Sequence, residues 1–383
     1  MKLLHLSDLH IGKRVCEFSM LDDQRFILEQ IVGIAGDVKP DAVLIAGDLY
    51  DRSIPVGEAV TLLDDFLTEL AGRGIPVFAI SGNHDSPERL DFGSRIMREH
   101  RVTIAGTFQG TVPRADLSDS FGAVHIYLLP FLRPAAAQPF FGAEKTGSYD
   151  GAVRAAIETA ALCPDERNIL VAHQFVISGS SEPLRCDSET VSVGGLDSVD
   201  ASAFDGFDYV ALGHLHGPQK IGRDSVRYGG SPLKYSFSEA RQKKSVTVIE
   251  LGEKGKLELT QIPLKPLRDM REIRGPIAEL TAPETVAGAN PEDYIRAVLT
   301  DEDEIADPAG KLRAVYPNLM RIDFENRRMN AENSGTAAAG DPSRRTPMQL
   351  FEEFYRDRSG SPMSKREREI IGKIIEKAGE ETV

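Results

Sequence analysis

The chain has 383 residues, 41% of them hydrophobic, which is enough apolar material for a large core and excludes a wholly disordered chain. At ~150 residues per domain, this length predicts two or three domains. Acidic residues outnumber basic ones by 59 to 45, and the net charge of −14 argues against a DNA-binding protein that relies on a simple basic patch. It does not exclude a nuclease whose bound metals supply the positive charge.

Cysteine usage and the first residues indicate the cellular compartment of the protein. Cys16, Cys163 and Cys186 are odd in number and far apart, so neither a disulfide framework nor a CxxC metal site is indicated. His5 and Asp8 interrupt the apolar stretch that a signal peptide requires. No apolar run approaches the ~18 residues of a membrane-spanning helix. The sequence therefore predicts a soluble cytosolic protein.

The first third of the sequence alternates short apolar strands with amphipathic helices. Strands are predicted at 2–7, 42–46 and 77–80, and apolar residues at helical spacing predict helices at 21–36 and 60–70. Strands separated by helices of this length imply right-handed crossovers and a largely parallel sheet.

The same alternation continues to about residue 212 and then changes. We predict strands at 124–129, 169–172 and 209–212, with a helix at 149–162. Between residues 226 and 262, short strands are separated by glycine-containing turn signals, a pattern typical of β-hairpins.

A proline-containing stretch at 263–266 predicts a domain boundary. Strands at 270–273, 294–299 and 319–324, with helical stretches between them, predict a smaller unit after it. Residues 331–345 are rich in small and polar residues and lack an apolar period, so they predict a flexible linker.

The last segment carries two helix-start signals. Residues 346–349 and 364–367 each fit a capping box, and the first has proline at the first helical position. The apolar faces that follow contain Leu350, Phe351, Phe354, Ile370, Ile371, Ile374 and Ile375. Such a helix pair either folds back on its own domain or docks on a partner.

Residue types that bind metals or move protons follow five of the predicted strands. Ligands of an open α/β sheet gather beyond the carboxyl ends of its strands. The side chains at those ends are Asp8 and His10; Asp48 and Asp51; Asn83, His84 and Asp85; His173; and His214 and His216. One such motif is more often a turn or a surface pair, but five in order at strand ends predict a single site.

These residue types favour two metal ions over one. Two of these carboxylates with the asparagine and four of the histidines are already too many ligands for one ion, and a mixed oxygen and nitrogen set suits Mn, Fe or Zn better than Mg or Ca. Two metals ~3.5–4 Å apart form the usual clamp for phosphoester hydrolysis. The residues alone therefore predict a two-metal phosphoesterase site and leave the metal open.

The motifs resemble the signature of the calcineurin-like metallophosphoesterases. The matching strings are Asp8-x-His10, Gly47-Asp48-x-x-Asp51-Arg52, Gly82-Asn83-His84-Asp85, His173 and Gly213-His214-x-His216. Residues 5–13 and 228–239 are similar to the SbcD-type nucleases, the nuclease subunits of bacterial SbcCD complexes and relatives of double-strand-break repair nucleases. The resemblance covers roughly residues 1–330 and is strongest to about residue 250.

Matched motif by motif, the resemblance implies two sets of metal ligands, most often for Mn²⁺. The implied ligands are Asp8, His10 and His216 for the first ion, Asn83, His173 and His214 for the second, and Asp48 as a bridge between both. The histidines that match no motif, and that we expect to be core or surface residues, are His5, His100 and His125.

The resemblance also implies roles for residues that do not bind metal. His84 would contact the scissile phosphate and stabilise or protonate the departing oxygen. Asp51 and Asp85 are expected to orient histidine ligands rather than to bind metal. The candidate DNA contacts on the same loops, each weighed against an ordinary solvated charge, are Lys13, Arg14, Arg52 and Arg89.

The implied fold is α/β, with a metallophosphoesterase β-sandwich flanked by helices, a small α+β capping domain and a C-terminal helix pair. The expected divisions are a nuclease domain at 1–262, a capping domain at 263–330, a linker at 331–345 and a partner-binding helical segment at 346–383.

The implied activity is that of a manganese-dependent double-strand 3′ to 5′ exonuclease and single-strand endonuclease that cleaves hairpins. It would act in DNA repair, recombination and replication with an SMC-like ATPase of the SbcC type, in a heterotetramer whose nuclease domains form a homodimer. The expected location is the cytoplasm, at the nucleoid. One alternative is a small-molecule or protein phosphoesterase of the same superfamily, and the other is a scaffold with a vestigial metal site.

Overall fold

The structure of the protein is a computed structural model. It describes residues 1–179, 181–189, 197–325, 347–359, 362–368 and 370–372. The chain forms two compact units, one of Met1–Val298 with Asp307–Asp323 and the other of Leu299–Ala306 with Phe324–Val383. The predicted linker at 331–345 lies outside the described residues.

The first of two six-stranded sheets contains the strands predicted in the first third of the sequence. In spatial order its strands are Leu257–Pro263, Ser245–Leu251, Lys2–Leu6, Ala42–Ala46, Val77–Ile80 and Val102–Ala105. The last four are parallel, as the alternation with helices predicts. The other two form the expected hairpin, which pairs antiparallel with Lys2–Leu6.

The second six-stranded sheet is built from the middle of the chain. In spatial order its strands are Gln219–Ile221, Arg223–Tyr228, Tyr209–Gly213, Arg167–His173, Gly122–Leu129 and Arg114–Asp119. The four central strands are parallel, and each outer strand pairs antiparallel with its neighbour. The largely parallel sheet structure that local periodicity predicts is therefore divided between two mixed sheets, each with four parallel strands.

The two sheets pack face to face through a largely apolar layer. Leu44 and Ile80 of the first sheet and Ile126, Val171 and Ala211 of the second are completely buried in this layer. Alternate residues of the same strands face helices on the outer sides of the sheets. Strands covered on both faces are apolar throughout, which explains their unbroken hydrophobic runs. The expected β-sandwich flanked by helices is confirmed.

Helices cover both outer faces of the sandwich. They are Leu21–Val38, Gly57–Gly72, Pro87–Asp91, Ser94–Glu99, Pro134–Phe141 and Tyr149–Glu158, with 3₁₀ turns at Ala201–Phe204 and Phe237–Glu239. The two longest pack Ile31 and Phe66 against the first sheet, and Tyr149–Glu158 packs Val153 against the second. Two short pairs of strands, Arg14–Val15 with Phe18–Ser19 and Phe175–Ile177 with Ser198–Asp200, lie outside both sheets.

A three-stranded sheet follows the sandwich in the chain. Its strands, in spatial order, are Met270–Gly275, Tyr294–Leu299 and Leu319–Phe324. The helices between them are Ile277–Leu280, Pro283–Ala287 and Pro308–Arg313. These are the three strands that the sequence predicts after residue 266.

The C-terminal segment is helical where it is described. A helix spans Pro347–Ser359, and Ser364 and Glu367 exchange hydrogen bonds from backbone N–H to side chain at 2.7 and 3.3 Å. That reciprocal pair is a capping box, so the second predicted helix start is confirmed. Thr346 of the first predicted box lies outside the described residues. Within the described residues, no helix combines the length and the apolarity that crossing a membrane requires.

Candidate metal centre

Loops at the carboxyl ends of strands from both sheets meet at one place. Asp8, Asp48 and Asn83 follow strands of the first sheet, whereas His173 and His214 lie at the ends of strands of the second. The loops are tied together by hydrogen bonds, including the His214 N–H to Asp8 Oδ1 at 2.9 Å and the His84 N–H to Asp48 Oδ1 at 2.9 Å.

The backbone on the first-sheet side of this place is strained. Asp8, His10 and Asp48 have φ values of 52°, 45° and 50°, a left-handed conformation that residues other than glycine rarely adopt. The His10 N–H donates to the Asp48 carbonyl at 2.9 Å, which holds the two strained loops against each other. Strain of this kind costs of order 1–3 kcal/mol per residue and clusters at functional sites.

Glycine is required where the two sheets approach each other here. A Cβ atom on Gly213 would lie 1.8 Å from the carbonyl oxygen of Ala46. A Cβ on Gly47, whose φ is +81°, would lie 2.4 Å from Nδ1 of His173. The glycines of the Gly-Asp and Gly-His motifs therefore let the ligand-bearing loops touch.

The first group of converging side chains comprises Asp8, His10 and His216. One ligand atom from each lies within 4.8 Å of the others, and all three residues are buried. Nε2 of His10 is 3.1 Å from Nε2 of His216. Oδ2 of Asp8 is buried without a hydrogen-bond partner in the described part of the chain. A buried carboxylate oxygen of this kind is costly unless a cation compensates it.

The second group converges on the side-chain oxygen of Asn83. Nε2 of His173 and Nδ1 of His214 each lie 2.9 Å from Asn83 Oδ1. Asp48 lies between the two groups, because its Oδ2 is 3.3 Å from Nε2 of His173 and 3.6 Å from Nε2 of His10. The seven predicted ligands are therefore brought together, with Asp48 at the centre.

Burial determines the protonation of several of these groups. It lowers the pKa of His214 to about 3 and moves the pKa of His10 well below its usual value, so both rings are neutral, the form in which imidazole binds metals. Burial also opposes charge on His173 and Asp48, but their mutual attraction raises the pKa of His173 to about 9 and lowers the pKa of Asp48. Asp48 consequently carries its negative charge at the centre of the cluster.

This donor set fits divalent cations. The imidazole nitrogens, the carboxylates and one amide oxygen point at common volumes, and an unpartnered carboxylate oxygen faces the first of them. Mixed nitrogen and oxygen donors suit a transition metal better than Mg²⁺ or Ca²⁺.

His84 lies beside the cluster with one ring nitrogen already fixed. Its Nδ1 donates to the carbonyl oxygen of Asp51 at 3.0 Å, which leaves Nε2 as the free nitrogen of a neutral ring. The ring meets the ring of His10 edge to face, with centroids 4.8 Å apart. His84 is only half-buried, so a substrate can reach it.

The two carboxylates expected to orient histidines differ in what they contact. Asp51 lies behind His10, with Oδ1 3.6 Å from Nδ1, and it accepts a hydrogen bond from Lys13 at 2.7 Å. Asp85 instead accepts three backbone N–H groups, those of Leu49, Tyr50 and Gly82 at 2.9–3.1 Å.

The contacts of Asp85 correct the role given to it from the sequence. Burial, followed by the charge of Asp48, raises its pKa to about 6. It organises the loops that carry Asp48 and Asn83 rather than a histidine ring, because both of its oxygens are occupied by backbone amides.

Sequence reasoning missed the network behind His216. Nδ1 of His216 lies 2.8 Å from Oγ of Ser188, which donates to Oε1 of Glu239 at 2.6 Å. Lys244 pairs with the other oxygen of Glu239 at 2.6 Å, and both residues are buried. The available signal was a glutamate and a lysine five positions apart within residues 228–245.

The four candidate DNA contacts differ in their exposure and in their ion pairs. Lys13 is held by Asp51, and Arg14 lies near Glu17 with the two charges 3.7 Å apart. Arg52 is 72% exposed, with Nε 3.7 Å from Asp51 Oδ2, and Arg89 is exposed on the short helix Pro87–Asp91. The exposure of Arg52 and Arg89 leaves both accessible to a phosphate.

Comparison with known proteins identifies the family. Residues 1–218 match the calcineurin-like phosphoesterase family, and residues 266–359 match the family described as the type 5 capsule protein repressor C-terminal domain. The chain is 32% identical over 379 residues to the SbcD subunit of the SbcCD nuclease of Staphylococcus epidermidis, covering 98% of each chain. The chain belongs to the SbcD family of calcineurin-like phosphoesterases.

Membership of this family implies a divalent-metal hydrolase, which agrees with the donor set. The solved structures include TT1561 of Thermus thermophilus, which aligns with a TM-score of 0.37 and 12% identity over 68% of this chain and 98% of that chain.

Proposed function

We propose that this SbcD-family protein is a manganese-dependent DNA nuclease, with double-strand 3′ to 5′ exonuclease and single-strand endonuclease activity that opens hairpins. The observation that carries the proposal is the position of Asp48, whose Oδ2 lies within 3.6 Å of both His10 and His173. A carboxylate shared by two groups of oxygen and nitrogen donors is an arrangement that suits a two-ion site.

The ligand assignment follows from these groups. The residues that would hold the metals are Asp8, His10 and His216 for one ion, Asn83, His173 and His214 for the other, and Asp48 for both. When bound, the ions supply Lewis acidity toward a phosphodiester oxygen. The protein holds the carboxylate of Asp48 ionised and the rings of His10 and His214 neutral, so these three donors would bind metal without losing a proton. His173, whose pKa is raised to about 9, would release its proton when it binds.

His84 is proposed as the group that meets the scissile phosphate. Its Nδ1 donates a hydrogen bond to the Asp51 carbonyl, which leaves Nε2 for the substrate. Once Nε2 is protonated, it would deliver that proton to the departing oxygen. Arg52 and Arg89, which lies on the helix Pro87–Asp91, are proposed to contact DNA phosphates because both are exposed. Lys13 and Arg14 are proposed as further contacts, with Lys13 the weaker because Asp51 holds it at 2.7 Å.

The segment 346–383 is proposed to bind the SMC-like ATPase of the SbcC type. Phe354 and Ile370 in this segment are 58% and 51% exposed. Burying such a side chain stabilises a complex by about 1.5–3 kcal/mol, so an apolar groove on a partner is their natural position. We further propose that two copies dimerise through the nuclease domain within a heterotetramer with the ATPase. This complex would act at the nucleoid in the cytoplasm, in DNA repair, recombination and replication. We keep the proposed domain boundaries, with the nuclease domain ending at residue 262 and the capping domain at residue 330.

The decisive experiment compares substrates and partners together. The purified protein is assayed on hairpin DNA and on bis-p-nitrophenyl phosphate, with and without Mn²⁺, and is then mixed with the SMC-like ATPase. We expect Mn²⁺-dependent cleavage of the hairpin and co-elution with the ATPase. Cleavage of the small ester alone would favour the small-molecule phosphoesterase, and no cleavage of either would favour a scaffold.

A further inference from the structure

A second cluster of side chains of metal-binding types lies near the amino ends of the parallel strands of the second sheet, opposite the ends that carry the candidate metal centre. His125 is on the strand Gly122–Leu129 and pairs in register with Asn168, five residues before His173 at the end of the neighbouring strand. At ~3.3 Å per residue, this places the cluster ~16 Å from the candidate metal centre. The cluster is therefore separate from the nuclease site.

The cluster contains three residue types that bind transition metals. One ligand atom each from His125, Cys163 and Glu166 lies within 4.8 Å of the others. Nε2 of His125 is 2.6 Å from Oε2 of Glu166. His125 is buried, whereas Glu166 lies at the surface, so the group opens to solvent on one side.

The other ring nitrogen of His125 is fixed by a carboxylate. Its Nδ1 lies 2.6 Å from Oδ1 of Asp116 and donates to it, so Nε2, which faces Glu166 at 2.6 Å, is the ring nitrogen that would bind a metal. Metal-binding histidines almost always donate their second nitrogen in this way.

Charges around the cluster balance those of a divalent cation. With a metal bound, a thiolate and a carboxylate would supply two negative charges at the cluster, and Asp116 behind the ring is offset by Arg114, whose Nε lies 2.9 Å from Asp116 Oδ1. Nη1 of Arg114 is also 3.9 Å from Sγ of Cys163. The thiolate is the form of cysteine that binds metals.

We propose that His125, Cys163 and Glu166 form a zinc site, with Asp116 as the residue that positions His125. Sulfur, nitrogen and oxygen donors together select Zn²⁺ over the Mn²⁺ proposed for the nuclease site. Three protein ligands leave the fourth tetrahedral position open to water. The ion would join the segment that carries Cys163 and Glu166 to the strand of His125.

Cobalt(II) provides a probe that reports on this site alone. A thiolate bound to Co²⁺ produces a charge-transfer band in the near ultraviolet, and the proposed nuclease ligands include no cysteine. The full-length protein, kept reduced, is titrated with Co²⁺ and then with Zn²⁺, and the absorbance is followed. We expect the band to appear with Co²⁺ and to disappear as Zn²⁺ displaces it.

Variants assign the band to its residues. Cys163→Ser and His125→Gln should abolish it, whereas Cys16→Ser, at an exposed cysteine outside the cluster, should retain it. Asp116→Asn should keep the band but weaken the metal affinity by about 10–100-fold. Cys163→Ser should leave Mn²⁺-dependent nuclease activity unchanged, which separates this proposal from the proposed function.

The absence of a thiolate band in the native protein would overturn the zinc site and leave His125 as an imidazolium between two carboxylates. Survival of the band in Cys163→Ser would overturn it as well. If His125→Gln does not fold, judged by its melting curve, Asp116→Asn and Cys163→Ser decide the outcome.

Discussion

The two sheets hold their shares of the candidate metal centre in different ways. On the first sheet, Asp8, His10 and Asp48 are aimed by left-handed backbone and by hydrogen bonds between loops. On the second sheet, His173 and His216 are aimed through the ring nitrogen that faces away from the site. Asp8, His10 and Asp48 thus depend mainly on backbone conformation, whereas His173 and His216 depend on contacts behind the ring.

This difference determines which substitutions each half tolerates. A backbone-positioned ligand has no single supporting side chain to lose, but it depends on the conformation of its loop. A ligand positioned through its second ring nitrogen can be weakened one hydrogen bond at a time. The five predictions that follow test this contrast, beginning with the residue that belongs to both halves.

The largest effect is expected for Asp48→Ala. Asp48 Oδ2 faces His10 of one group and His173 of the other, so its loss should empty both positions and abolish nuclease activity. Metal per chain, measured by mass spectrometry, should fall together with activity. Asp48→Asn, which can keep the hydrogen bond from the His84 N–H, serves as the folded control, and full metal retention in both variants would contradict the bridging role.

His84→Ala should lose turnover without losing metal. The ring lies edge to face against His10 and one of its nitrogens lies near Asp48, but we assign it to the substrate, and a general acid contributes about 10²–10⁴-fold to rate. The variant should therefore retain its metal content and bind DNA while cleaving it at a rate reduced by that factor. Loss of metal comparable to that of Asp48→Ala would show that His84 is a ligand.

Gly47→Ala tests the backbone-positioned half. The new Cβ would sit 2.4 Å from His173 Nδ1 at a φ of +81°, and a non-glycine residue in such a conformation costs about 1–3 kcal/mol. Urea unfolding should show a loss of at least that size. Gly33→Ala, in an open helical position, is the matched control and should raise stability by about 0.5–1 kcal/mol. An unchanged midpoint for Gly47→Ala would refute the close approach.

Ser188→Ala tests the half that is positioned by side chains. It removes the link between His216 Nδ1 and Glu239, and losses of this kind typically lower metal affinity by about 10–100-fold. Ser236→Ala is the control, because Ser236 also donates to Glu239 but is not bonded to His216. Isothermal titration with Mn²⁺ should show a lower affinity for Ser188→Ala than for Ser236→Ala. Equal affinities would show that the network does not support metal binding by His216.

Deleting residues 346–383 should have the smallest effect on basal activity. The deletion removes no residue of either half of the site, so the shortened protein should remain a soluble, Mn²⁺-dependent single-strand endonuclease. It should fail to co-elute with the SMC-like ATPase and should show no ATP-stimulated exonuclease activity. Aggregation, or melting far below the full-length protein, would assign these helices to the protein's own core instead.

The candidate ligands could be predicted from the sequence because each directly ends or closely follows an apolar strand, and parallel strands bring their carboxyl ends to one edge. Local periodicity could not show that the strands divide between two sheets, since pairing depends on partners far apart in the chain. The strand Ser245–Leu251, for example, pairs with Lys2–Leu6. The network of Ser188, Glu239 and Lys244 was missed for the same reason.

Residue types and their spacing therefore predicted most secondary elements of the core, the candidate ligands and the family, but not the core strands Val102–Ala105, Arg114–Asp119 and Gln219–Ile221. Only the tertiary structure decided that Asp85 supports backbone amides rather than a histidine, and that His125, far from any motif, meets Cys163 and Glu166. The physical reason is that residue type and spacing encode local conformation and burial. The direction of a polar side chain depends instead on which distant donors and acceptors the folded chain places within about 3 Å of it.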